Sequence, residues 1–112
     1  MNELVKRLSG KQKVRLSRIA HNKEDLEQML RLGYGHILFE KTGTELNVRL
    51  AEDATRMDAN ALHRLQGNLH LEGAITLNYD KIKVVVDLDL ATYKGTGKAV
   101  PLSDEQYAAF SV

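Results

Sequence analysis

His70 and Glu72 stand two residues apart in a run where apolar and polar residues alternate, so both side chains leave the same face of one strand. An imidazole beside a carboxylate is a donor pair for zinc or another divalent ion, with His63 or His36 as a further ligand. The chain has no HxH, HExxH or paired-histidine helix spacing. The surrounding Thr76, Asn78 and Asp80 describe a solvated polar face, so neither metal nor cofactor is expected. Asp87 and Asp89 likewise share a face, opposite Val86, Leu88 and Leu90. Paired carboxylates can hold a cation or raise one another's pKa for acid–base work. With Lys83 continuing the same row, the plainer expectation is a strand that keeps its outer face soluble.

Tyr34-Gly35-His36 puts an aromatic ring, a small hinge residue and a titratable ring together. With His63, Tyr79 and Asp87 these residues are the candidates for a small-ligand pocket between sheet and helices. No serine has the spacing of a nucleophile elbow. Lys94-Gly95-Thr96-Gly97-Lys98 is glycine-rich, yet a Walker loop needs four residues between its glycines and a hydroxyl residue after the lysine. Ala99 follows instead, and the segment reads as a glycine turn.

Residues 1–23 hold Lys6, Arg7, Lys11, Lys13, Arg15, Arg18 and Lys23 against Glu3 alone, while the whole chain carries only +1. The rest is therefore net acidic, an asymmetry that attracts an anionic partner or a second copy of the chain. Lys6, Arg7, Lys11, Lys13, Arg15 and Arg18 are the candidate contacts to an anion or nucleic acid. The segment has no aromatic residue to stack on bases, and no helix-turn-helix, zinc-finger or aromatic RNA-binding strand signature occurs.

The elements that must position these residues are read from periodicity. Odd positions from Leu69 to Tyr79 are apolar, except that Gly73 interrupts them, and after Asp80-Lys81 the apolar set moves to Ile82, Val84, Val86, Leu88 and Leu90. That pattern predicts a long antiparallel hairpin over 68–93 with its turn at Asp80-Lys81. Residues 1–11 read as a short basic arm with one helical turn through Leu4, Val5 and Leu8, ending at Gly10, and 13–20 as a first strand. Asn22 caps a helix with the stripe Leu26, Met29 and Leu30, stopped by Gly33. Two strands, 36–41 and 45–50, flank Thr42-Gly43-Thr44. Asp58 is the expected cap of a second helix carrying Ala61, Leu62 and Leu65. After the hairpin, 98–102 makes a last short strand, and Ser103 with Gln106 makes a capping box for a closing helix.

The expected fold is α+β: one domain over 1–112, an antiparallel sheet of five or six strands, and two main helices on one face. Its first six elements match a ferredoxin-like β-α-β-β-α-β order, with an extra hairpin strand. At 112 residues, 43% hydrophobic and 28% charged, the chain can bury a core without disulfides, and it has no cysteine to form one. No apolar run approaches a membrane span and the first ten residues lack a signal-peptide core, so a cytoplasmic, bacterial-style protein is expected. The functional expectation is a non-enzymatic interaction or accessory module that docks a protein partner or its own copy through a sheet face or edge. The alternatives are a small-ligand binder or small enzyme, and nucleic-acid binding through residues 6–18.

Overall fold

The computed structural model describes residues 3–51, 54–57, 60–77 and 79–110. The expected cap Asp58 and the polar-row residue Asn78 lie outside the described residues. The strands are β1 (Gln12–Ser17), β2 (Tyr34–Phe39), β3 (Thr44–Leu50), β4 (Arg56–Met57), β5 (Asn68–Leu77), β6 (Asp80–Asp89) and β7 (Lys94–Pro101). Helical segments are α1 (Glu3–Leu8), α2 (Lys23–Leu32), α3 (Ala61–Arg64) and α4 (Asp104–Phe110).

All strand pairings are antiparallel, and they run β3–β2–β1–β7–β6–β5, with β5 pairing back onto β3. Six strands therefore close into a barrel, and β4 is a short addition beside β5. The expected α+β fold with two main helices and a ferredoxin-like order is overturned. α2 has 10 residues and buries only Leu26 fully, and α3 has 4. Helices this short cannot cover the apolar face of so many strands, so the sheet curls until that face covers itself. Val14, Leu16, Ile37, Phe39, Leu71 and Val86 meet inside, and among the described residues no buried one is polar or charged. Within residues 3–8, Val5 and Leu8 of α1 are fully buried in the same core.

The long hairpin has its expected face, with Leu69 opposite Leu88, Leu71 opposite Val86 and Ile75 opposite Ile82. Its turn lies earlier than expected, because Leu77 pairs with Asp80. A turn at Asp80-Lys81 would have set Leu77 against Val84. Both registers keep the apolar rows on one face, so period two cannot choose between them. Tyr79 consequently leaves the apolar row, takes φ 72° and is 98% exposed.

The glycine turn expected at 94–97 is the second correction, since those residues lie inside β7 and the chain reverses at 90–93. There Asp89 Oδ1 accepts the Ala91 N–H at 2.9 Å and its carbonyl accepts the Tyr93 N–H at 2.7 Å. Gly95 and Gly97 serve close approach between strands. A Cβ on Gly95 would overlap the Asp87 carbonyl oxygen, and one on Gly97 would sit 3.0 Å from the Val85 carbonyl oxygen.

The capping signals appear as the sequence suggests. Asn22 Oδ1 accepts the Asp25 N–H at 2.8 Å, and Gly33 closes α2 at φ 77°. Ser103 and Gln106 cap α4 reciprocally, with the Ser103 N–H donating to Gln106 Oε1 at 2.9 Å and the Gln106 N–H to Ser103 Oγ at 3.2 Å.

Gly95→Ala should lower stability by about 1–3 kcal/mol through forced separation of β6 and β7. Gly10→Ala, where a Cβ meets nothing within 4 Å, should be near neutral. Urea unfolding midpoints of the two variants check this.

Candidate functional site

Two clusters of chemistry-bearing side chains lie on the outside of the barrel. The first is built on the β5–β6 hairpin, where His70 is directly opposite Asp87 and Glu72 follows on the same face. His70 Nδ1 lies 2.8 Å from Asp87 Oδ1, and Nε2 lies 2.7 Å from Glu72 Oε2. Asn68 Nδ2 donates to Asp87 Oδ1 at 3.3 Å, and Lys83 Nζ stands 3.6 Å from Glu72 Oε1. Both ring nitrogens thus face carboxylates, a geometry that suits the doubly protonated imidazolium.

The bond to Glu72 raises the His70 pKa above its ordinary 6.5, burial opposes the rise, and Asp87 adds to it. Glu72 is held below the usual carboxylate value chiefly by the same bond. For Asp87, burial pulls upward, but hydrogen bonds from His70 and Asn68 and the charges of His70 and Lys11 leave its pKa lowered. A ring engaged at both nitrogens has no lone pair free for a metal or for proton abstraction. Among the described residues no group of three acidic, histidine or cysteine side chains has metal-binding geometry. An open depression beside the cluster is lined by Arg56, Met57, Gly67, Asn68, His70 and Asp87.

The second cluster arises where β1 meets β7. Lys13 pairs with Thr96 and Arg15 with Lys94, and the same register sets Lys11 at the level of Lys98. Val14 and Leu16 point inward, so Lys11, Lys13 and Arg15 point outward and are exposed, as are Lys94 and Lys98. The result is one wall with five cations around Thr96. Arg15 reaches Glu40 at 3.5 Å, and Lys11 acts on Asp87 through its charge. Carboxylates border the wall on both sides, Asp87 and Asp89 on β6 and Glu40 beyond β2.

The other expected site residues are dispersed. Tyr34 is half exposed at the start of β2, and His36 lies two residues on, opposite Ser17. Tyr79 is at the far end of the barrel in the β5–β6 turn, and Asp87 belongs to the His70 cluster. His63 lies in α3, with its side chain outside the described part of the structure. Arg18 turns away from the wall at φ 56° to pair with Glu45, which also accepts Ser17 Oγ at 2.9 Å. Lys6 and Arg7 are exposed on α1, where Arg7 faces Glu3 at 4.0 Å. Lys94 and Lys98 are the wall residues that sequence reasoning missed. Their signal was the alternation Lys94, Thr96, Lys98, which matches Lys11, Lys13, Arg15 once 94–101 is read as a strand.

No family model matches this sequence, and no curated protein shows significant similarity to it. What the sites do must therefore be argued from their geometry.

The His70 clamp has a pH signature. A raised histidine pKa contributes stability in full below its unfolded value near 6.5, and loses it as pH rises through the folded value. The lowered Glu72 and Asp87 contribute above their ordinary values of 4.5 and 3.8, and lose it as pH falls through the folded ones. The clamp is complete between those limits. His70→Ala should cost about 1 kcal/mol near pH 6, discounted because Asp87 is half exposed. It should also flatten the decline in melting temperature as pH rises past 6.5. Thermal melts of both proteins across that range measure this.

Proposed function

We propose that this chain is a non-catalytic binding module that works through a sheet face, the outer wall of β1 and β7, and that its partner is anionic. The observation that carries the reading is the β1–β7 register, which gathers Lys11, Lys13, Arg15, Lys94 and Lys98 from opposite ends of the chain onto one exposed surface. A molecule of net charge +1 concentrates positive potential there. The His70 ring is engaged on both nitrogens, so it offers no free base beside this wall.

Most of the hairpin is paired on both sides, β6 by β5 and β7 and β5 by β6 with β3 and β4 along part of its other side, so the face is the larger surface the barrel offers.

Retention on immobilised heparin, a linear polyanion, tests the reading. The double variant Lys94→Glu/Lys98→Glu should elute at clearly lower salt than the wild type. Lys23→Glu/Arg49→Glu makes the same change in net charge away from the wall, at α2 and on β3 across the ring, and should elute close to wild type. Equal shifts for the two pairs would show that net charge, and not this face, governs binding.

A further inference from the structure

We infer that the occupant of the β1–β7 wall is the phosphodiester backbone of a nucleic acid strand, gripped by its phosphates and not by its bases. The inference rests on the docking reading above and specifies its partner. Three features of the wall lead to it.

The first is charge density. From Lys11 to Arg15 the wall spans four residue steps, about 13 Å at roughly 3.3 Å per residue, and it carries five cations in two rows about 4.8 Å apart. A nucleic acid strand presents one phosphate per about 3.4 Å of axis, so about four phosphates lie along that length. An extended acidic peptide turns a carboxylate to one side only every second residue, roughly 6.7 Å, and so offers about two. The phosphodiester strand matches the wall's charge more closely.

The second is shape. The cationic strip is two strands wide, with Asp87 and Asp89 on β6 and Glu40 just past the end of β2 along its margins, interrupted by Val85 beside Lys98 and Leu38 beside Arg15. Those margins repel a broad anionic plane and favour a partner lying lengthwise along the strands. Outward residues of the strip (Lys11, Lys13, Arg15, Lys94, Thr96 and Lys98) include no aliphatic or aromatic side chain, and the flanking Leu38 and Val85 are partly buried, which leaves little to enter a lipid layer.

The third is the choice of donors. Lysine ammonium groups, the Arg15 guanidinium and the Thr96 hydroxyl are the groups that hold phosphate oxygens. Without an aromatic side chain the strip has no stacking platform for bases. Contacts of this kind position a backbone and carry no sequence information, so binding should be indifferent to sequence.

Fluorescence anisotropy of the full chain with labelled mixed-sequence oligonucleotides, as single strand and as duplex, tests the inference. Poly-glutamate and phosphatidylserine vesicles serve as competing polyanions. The expected result is binding that weakens with salt with a log–log slope of about −2.8 for single strands to −3.6 for duplex. That range follows from about four neutralised phosphates, and it corresponds to roughly 50- to 150-fold between about 50 and 200 mM salt. Lys94→Ala/Lys98→Ala should keep the wild-type circular dichroism and melting temperature while reducing the slope by about 2. Lys23→Ala/Arg49→Ala should leave the slope unchanged. Whether single strand or duplex binds more tightly identifies the form of the ligand, and either supports the inference. Binding to poly-glutamate or vesicles but not to oligonucleotides overturns it and leaves the docking reading standing. Binding to none of the probes overturns both, and a slope that the wall variant does not alter overturns the wall as the site.

Discussion

β1 hydrogen-bonds to β2 along one side and to β7 along the other, and this double pairing turns a sheet with two free edges into a barrel. Everything else follows from that closure. Val14 and Leu16 become interior residues shared by both halves of the chain, and the β5–β3 contact at Arg49–Ala74 and Leu50–Gly73 completes the ring. Close approach demands small residues where strands crowd. Gly73 lies against the Arg49 carbonyl oxygen and Gly95 against that of Asp87, positions where no side chain fits. The connection before β7 is fastened to the other end of the chain as well. The Leu16 N–H donates to the Tyr93 carbonyl at 2.9 Å, and the His21 ring packs edge-on against Tyr93 with centroids 4.2 Å apart.

The same pairing that makes the core makes the surface. A β-strand sends alternate residues to opposite sides, so fixing Val14 inside fixes Lys13 and Arg15 outside, and fixing Gly97 and Ala99 inside fixes Lys98 outside. The cationic wall is therefore the outward record of the barrel's closure. A weaker seam would dilute the wall and open the core together.

Local physics was readable in the sequence, and non-local physics was not. The 68–93 hairpin, the Asn22 and Ser103 caps and the Gly33 stop each depend on residues within a few positions of one another, and each is found. Closure pairs the start of the chain with its end, and alternation reveals which face of a strand is apolar without revealing its neighbour. Gly95 and Gly97 misled because glycine suits both turns and crowded strands, and reading them as a turn hid half of the wall. His70 and Glu72 were visible as a same-face pair. Their engagement by Asp87 depends on the hairpin register, which two different turns satisfy equally well in pattern. Tyr79 and Asp87, expected to line one pocket, sit at opposite ends of β6 for the same reason.

Closure at the β1–β7 seam is the claim on which both core and wall depend, and NMR on the isotope-labelled chain tests it most directly. The account predicts main-chain nuclear Overhauser contacts between Lys13 and Thr96 and between Arg15 and Lys94, together with contacts between Arg49 and Ala74 in the same sample. If the first set were missing while the hairpin contacts of Leu71 with Val86 remained, the sheet would be open, and neither the shared core nor the cationic wall would exist as described.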